Sequence, residues 1–309
     1  MAILLSGLRD LNHLPDDNDT PNYQHRYDEV AKASWSELLG GSSLYSSEYG
    51  ERDSGYPIFM KLTQVFVNDF TFFMFLTASI FIISLGCLIN KYVRSPLGVL
   101  LSFLIYFALF TNIVNSFMRQ AITLSIVLFA LRFVLNRDWK RYFGLVLIAF
   151  TFHTSAIVAV PFYFLPRFSI NRKWLLLAII LFPVMAYCVR SIMSLFLSGS
   201  VYDVYSEADT ENPMNYILLV LVVSLFVYFY FDRITEIKDH ELLICGALGS
   251  MLLLPVAFLG NTILRVSYYY VLFIIVLIPV LIDRIKMHRF IRLLVYSLSM
   301  CFFLYFIFR

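Results

Sequence analysis

Charge is scarce in this sequence. Lys, Arg, Asp and Glu make up 15% of its 309 residues, where a soluble domain carries about 25%. Hydrophobic residues reach 60%, and mean hydropathy is +0.76. That balance excludes a disordered chain, a coiled coil and a pair of ordinary soluble domains. Cysteine is sparse as well. Cys87, Cys188, Cys245 and Cys301 all fall inside apolar runs, with no CxxC pair. A small disulfide scaffold is therefore out, and the four read as small buried hydrophobes. There is no Gly-rich phosphate loop and no HExxH. Ser155 follows His153 closely, but no nucleophile elbow surrounds it. The opening MAILLSGLRD has no charged leading region and only a four-residue apolar run, so it is not a signal peptide.

What the chain has is long apolar runs and a lopsided charge. Residues 1–69 hold 5 Lys/Arg and 11 Asp/Glu, a balance of −6. Residues 70–309 hold 19 and 10, a balance of +9. The basic residues of the second part sit in short clusters between apolar runs. That is the pattern of cytoplasmic loops, not of a nucleic-acid patch, so no nucleic-acid partner is expected. Residues 1–56 are polar and punctuated by Pro15, Pro21 and the Gly40-Gly41 pair. Residues 57–69 carry Ile58, Leu62, Val65 and Phe66 at helical spacing, which predicts a short amphipathic helix at a membrane interface.

From residue 70 the apolar runs reach spanning length, about 20 residues. They cover 70–90, 97–117, 120–136, 174–197, 214–231, 242–259, 266–283 and 289–308. They are apolar all round, which predicts helices and not a barrel. The expected fold is all-α: a polytopic bundle of about nine spans (70–309) behind an extracytoplasmic segment (1–69).

The stretch 142–166 decides the orientation. Lys91, Arg94, Arg137, Lys140 and Arg141 mark two cytoplasmic loops. If 142–166 crosses once, the 19 basic residues after position 69 divide 9 inside to 10 outside. If it folds back near Phe152-His153-Thr154-Ser155, they divide 15 to 4, and the acidic loop 200–213 lies outside. The charge rule favours this re-entrant pair over one continuous 25-residue helix.

That layout leaves a few polar residues on the outer side. Arg119 follows Asn112 and Asn115. Arg265 follows Asn261 and precedes Tyr268, Tyr269 and Tyr270. His153 sits at the bend, and Arg190 lies shortly before the acidic loop. Ionisable groups at a bilayer usually face the bundle interior or a cavity. A guanidinium fork suits phosphate, and aromatic rings suit sugar faces. Each residue alone also has a structural reading: a snorkelling Arg, a hydrogen-bonded core His, an interfacial Tyr belt.

Several segments then fall in a telling order. They are Gly7-Leu8-Arg9-Asp10, Asp19-Thr20 with Tyr23 and Tyr27, and Asp53-Ser54-Gly55-Tyr56. Asn115-Ser116-Phe117-Met118-Arg119-Gln120-Ala121, Phe152-His153-Thr154-Ser155-Ala156 and Asn261-Thr262-Ile263-Leu264-Arg265 with Tyr268 and Tyr269 follow. This order resembles the EpsG branch of the Wzy-type bacterial polysaccharide polymerases, over nearly the whole chain. Two features depart from the family pattern. Members usually have an apolar span before the first outer segment, whereas this chain starts almost within that segment. The G-x-D element is also altered, since Asn18 precedes Asp19 and Gly7 lies far upstream.

The resemblance implies a multi-pass membrane glycosyltransferase of capsule, exopolysaccharide or O-antigen assembly, in the cytoplasmic membrane of a bacterium. It implies a substrate, an undecaprenyl-diphosphate-linked oligosaccharide, and as partners the flippase and chain-length regulator of the same pathway. His153, Arg119, Arg265 and Asp19 would be the catalytic residues. Gln120, Arg9, Tyr23, Tyr56, Tyr268 and Tyr269 would bind substrate, with no metal or other cofactor. Two other classes stay open. A carrier or flippase of lipid-linked sugars would use the same arginines without chemistry, although no internal repeat of the kind transporters show is present. A membrane acyltransferase would want a more central His or Asp pair.

Overall fold

The computed structural model describes residues 7, 19–39, 54–168, 170–197, 214–259, 264–285 and 288–307. Among these residues the chain is all helix, with no strand. In chain order the helices are α1 (Thr20–Lys32), α2 (Trp35–Leu39), α3 (Gly55–Phe66), α4 (Phe70–Tyr92) and α5 (Pro96–Leu109). Next come α6 (Thr111–Asn115), α7 (Met118–Leu135), α8 (Trp139–Phe152), α9 (Arg172–Leu197) and α10 (Met214–Phe229). The last are α11 (Phe231–Ile234), α12 (His240–Leu253), α13 (Tyr268–Val271), α14 (Ile274–Arg284) and α15 (Arg289–Ile307). Among the described residues, five stretches are long and apolar enough to cross a membrane: Phe70–Tyr92, Met118–Leu135, Arg172–Val189, His240–Phe258 and Arg265–Arg284. Pro96–Leu109 and Met214–Phe229 are apolar but shorter. The expected run 97–117 is broken at Phe110, between α5 and α6. The run 266–283 starts as a 3-10 turn, Arg265–Ser267, before α13 and α14.

The chain forms two compact units. One comprises Met1–Asn90, Phe103–Val160 and Leu304–Arg309, the other Lys91–Ser102 and Pro161–Phe303.

In the first unit, α1 and α3 pack on the start of α4. Tyr23, Tyr27, Tyr56, Met60, Phe70, Phe73 and Met74 form one buried cluster with Met118 and Ile122 of α7. Edge-to-face ring contacts run through it, Tyr23–Tyr56 at 5.7 Å and Tyr56–Phe73 at 5.8 Å between centroids. The Tyr27 hydroxyl donates to the Val67 carbonyl at 3.2 Å; burial raises its pKa above the ordinary tyrosine value. The helix expected over 57–69 is α3. Its Leu62, Val65 and Phe66 are exposed, while Tyr56, Met60 and Thr63 face the protein. An exposed apolar edge is what an interfacial helix offers to lipid.

Two polar devices fix this region. Ser34 and Glu37 make a reciprocal cap at α2: the Ser34 N–H donates to Glu37 Oε2 at 2.7 Å, and the Glu37 N–H to Ser34 Oγ at 3.3 Å. Those bonds hold the Glu37 carboxyl below the usual carboxylate range. At the other device, Lys61 Nζ donates to the Val30 and Ala31 carbonyls at 3.2 and 3.0 Å. It thereby satisfies the last carbonyls of α1 at the negative end of the helix dipole. Lys61→Met keeps the apolar stem and removes both bonds. A loss of about 1–3 kcal/mol is expected, read as a lower melting temperature and faster proteolysis of the α1 region. An unchanged melt would mean that water replaces the ammonium.

The hairpin of α7 and α8 is tight. Arg137 adopts a left-handed conformation (φ 57°) after Asn136, and the Asp138 N–H reaches back to the Phe133 carbonyl at 2.9 Å. Asp138 then caps α8, accepting from the Arg141 N–H at 3.1 Å.

After Phe152 the α-helix stops. His153 is extended (φ −159°, ψ 127°), and a 3-10 segment follows over Thr154–Tyr163. Ala156, Ala159 and Phe162 are fully buried at a spacing of three, the period of that helix. The Tyr142 hydroxyl donates to the Ala159 carbonyl at 2.6 Å. One straight helix would hold residues 142 and 159 about 25 Å apart. The chain therefore turns back at His153, and the continuous 25-residue helix is ruled out.

In the second unit α12 packs against α9, α10 and α13. A Cβ on Gly246 would strike the Phe273 ring, and one on Gly249 the Tyr270 ring, so both glycines let backbone and ring close up. Tyr270 stacks on Phe162 at 4.1 Å. Lys91 pairs with Asp239 at 2.8 Å, and the Tyr92 hydroxyl donates to the Asp239 carbonyl at 2.9 Å. Asp283 accepts from Ser95 Oγ and from the Tyr296 hydroxyl, each at 2.8 Å.

The cysteine expectation needs correction. Cys245 is buried, but Cys87, Cys188 and Cys301 are exposed. An apolar run facing lipid does not need its small residues covered by protein.

Candidate functional site

Most of the site residues that the sequence suggests in its first half come together in the first unit. Arg119 is the second residue of α7 and is half-buried. Its guanidinium carbon lies 5.9 Å from the Tyr23 ring centroid. Tyr23 in turn meets Tyr56 edge to face. The Thr20 hydroxyl donates to the Asn115 carbonyl at 2.7 Å, which ties the start of α1 to the loop that precedes Arg119. Asp19 occupies the N-cap position of α1, next to Thr20. Three separate sequence segments are thus joined at one end of the unit.

The bend at His153 belongs to the same end. Gly55 approaches Thr151 so closely that a Cβ would overlap the threonine hydroxyl. Phe59 meets Phe152 at 6.0 Å. The Gly55-Tyr56 element therefore needs glycine because the last turn of α8 occupies the space a side chain would take. Ser155 donates its N–H to His153 Nδ1 at 3.1 Å, and Ser155 Oγ lies 2.7 Å from the same nitrogen.

Burial divides the expected substrate contacts. Tyr23, Tyr56 and Gln120 are buried, so they act as wall and support in this conformation. Arg119, His153 and Ser155 are half-buried. Arg9, Asn261 and the acidic loop 200–213 lie outside the described residues, as does the side chain of Arg190. Among the described residues, no group of three or more His, Cys, Asp and Glu is arranged to hold a metal ion.

The second unit carries Arg265 in the 3-10 turn that opens its span. Arg265 is half-buried and stands three residues, about one turn, before Tyr268. Ser267 Oγ donates to the Leu264 carbonyl at 2.7 Å and lies 3.3 Å from the Tyr216 hydroxyl. Tyr269 and Tyr270 are enclosed by protein, so two of the three consecutive tyrosines are core residues; Tyr268 is half-buried.

The sequence matches a known family over residues 2–309. The chain belongs to the EpsG family. This is a family of polysaccharide biosynthesis, and its helices make the present member a multi-pass membrane protein. Comparison with curated proteins and with solved structures gave no match.

Four structural contributors have no role that their chemistry announces, although Thr20, Gly55 and Ser155 stand in the segments that carry the family resemblance. Thr20, Gly55, Tyr142 and Ser155 each make a contact on which the site's shape depends. None carries a signal of its own, since each acts through a partner distant in sequence or through a local turn.

Proposed function

We propose that this EpsG-family chain is a polysaccharide polymerase. It joins oligosaccharide repeat units carried on undecaprenyl diphosphate, at the outer side of the cytoplasmic membrane. The observation that carries this reading is the meeting of Arg119 with Tyr23, Tyr56 and the bend at His153 in a chain that matches the family from residue 2 to 309.

In the reaction, the growing chain's anomeric C–O bond to diphosphate breaks, and the electron pair leaves with the diphosphate. The acceptor hydroxyl oxygen bonds to that carbon and gives its proton to a base. Arginine stabilises the departing anion. The first unit offers Asp19 as a base for the proton, and His153 either as a base or as a further group on the leaving diphosphate. In the second unit, Arg265 is a further cation at the start of a span, on the side that the charge rule favours as outer. Tyr268 and Arg9 would contact the substrate, while the buried Gln120, Tyr23, Tyr56 and Tyr269 would shape the walls behind it.

The proposed topology has residues 1–69 outside and about nine passes in 70–309, one of them the returning pair around His153. In a cysteine-free background, single cysteines placed in 200–213 should react with an impermeant thiol reagent added outside, and those in 233–240 should not. The reverse pattern would sink the topology. The function itself is tested by deleting the gene and analysing lipid-linked products. Single repeat units should accumulate on the outer leaflet. Accumulation on the inner leaflet would favour the carrier reading, and normal polymer would end the proposal.

A further inference from the structure

The His153 ring is held by a residue two positions on. A backbone N–H can only donate, so the Ser155 N–H bond at 3.1 Å makes His153 Nδ1 an acceptor. A neutral imidazole that accepts at Nδ1 carries its proton on Nε2. A proton on Nδ1 would face the Ser155 N–H donor to donor and break that bond. Ser155 Oγ, 2.7 Å from the same nitrogen, fits either tautomer, so the N–H bond is what distinguishes them; the link spans the point where α8 ends and the 3-10 segment begins.

The hairpin register brings the position of Arg119 to the level of His153. Thr123 Oγ1 lies 3.5 Å from the Ala149 carbonyl, in antiparallel α7 and α8. Stepping about one helical turn from each contact, back along α7 and forward along α8, leads to Arg119 and His153. The two residues stand at the same level, at the end of the hairpin where Tyr23 and Gly55 also pack.

We propose that His153 is a hydrogen-bond donor through Nε2–H, kept in that tautomer by Ser155 as a positioning residue. With the Arg119 guanidinium it forms a two-donor clamp for a diphosphate. The identity of that diphosphate as a polymerase leaving group rests on the function proposed above; the tautomer does not. A ring that donates from Nε2 and accepts at Nδ1 from the backbone does not take the acceptor hydroxyl's proton. That task falls to a carboxylate, and Asp19, next to the Thr20–Asn115 bond, is an acid held at this end.

The test uses the full chain in lipid nanodiscs with 15N-labelled histidine rings, and His153→Asn to identify the resonance. At neutral pH, Nδ1 should show the shift of an unprotonated ring nitrogen and Nε2 that of a protonated one. A proton on Nδ1, or an even mixture, overturns the proposal. Ser155→Pro removes the N–H and should lose the fixed tautomer; an unchanged ring would take away Ser155's positioning role. A prenyl diphosphate in the nanodisc should shift the Nε2–H resonance in the parent protein and much less in Arg119→Ala. A parallel titration with inorganic pyrophosphate tells whether free diphosphate suffices or the lipid is needed. No shift with either probe overturns the clamp.

Polymer yield supplies a second arm. His153→Gln keeps a donor near the Nε2 position and should retain polymer within about tenfold. His153→Asn keeps the acceptor for Ser155 but loses that donor, and should cost about 10²-fold or more. Equal loss in both variants would point to proton transfer, and equal retention to a structural ring. Either result overturns the donor role. Normal polymer in the deletion strain would defeat the polymerase reading and leave the ring measurement standing. A protonated Nδ1 would do the opposite.

Discussion

Replacing Arg119 with alanine should abolish polymer while the protein remains in the membrane at its usual level. The expected loss is about 10²–10³-fold, the cost of removing one preorganised donor to a developing anion. Arg119 stands at the start of α7 beside the Tyr23 ring, in a region tied to α1 through Thr20 and Asn115. Truncation should therefore leave the surrounding aromatic cluster in place and remove the charge alone. Arg119→Lys should recover little, because an ammonium lacks the planar fork that meets two phosphate oxygens at once. Arg265→Ala should behave alike, since its charge also stands at the start of a span and beside a half-buried tyrosine. The check is a polymer blot alongside a membrane-fraction blot for the protein. Near-normal polymer in both alanine variants would reduce these residues to lipid anchors.

The largest structural effect should come from Gly249→Val. The Tyr270 ring already occupies the position a Cβ would take, and Gly246 has the same relation to Phe273 one turn away. Tyr270 cannot simply retreat, because its other face stacks on Phe162 at 4.1 Å. Overpacking of this kind costs about 3 kcal/mol when no neighbour can move. The expected result is loss of the monodisperse peak in size-exclusion chromatography of the detergent-solubilised protein. Adding Tyr270→Ala should restore part of it, since the two changes share one space. A well-behaved single variant with an unchanged melting temperature would show that α12 can shift away from α13.

The helical class and the bend at His153 were legible in the sequence, for different reasons. Apolar runs without alternation leave only helices in a membrane. The bend came from counting charges, which records which side each loop lies on without knowing any contact. The structure supplies the contact, the Tyr142 hydroxyl on the Ala159 carbonyl. Hydropathy could not show that the run 97–117 is broken at Phe110, because an interrupted helix is as apolar as a continuous one. In 57–69 the spacing located α3 but brought out its exposed edge. Tyr56, Met60 and Thr63, the side against the protein, form a second stripe that a single-face reading passes over.

For the site, residue types chosen for their chemistry were legible: Arg119, His153, Tyr23 and Tyr56 do come to one end of one unit. The direction in which His153 presents its proton was not. It depends on a bond to the backbone of Ser155, whose side chain gives no hint that its N–H matters. Gly55 is similar. Its role is set by Thr151, nearly a hundred positions away, and glycine in a polar stretch otherwise reads as a turn.

The returning chain at His153 also constrains how the protein is made. The helix Trp139–Phe152 has 14 residues, about 21 Å of helix against a hydrocarbon layer of about 30 Å. Released alone into lipid, it would leave its last carbonyls bare where no water can reach them. The partner that closes the loop, Ala159, leaves the ribosome only after the bend has been synthesised. On the topology proposed above, the two legs would enter the bilayer together, as one hairpin with Trp139–Phe152 laid against α7. A reporter fused to a chain truncated at Phe152 would record an address that the complete chain never takes, whereas a reporter inserted with both legs intact would record the real one.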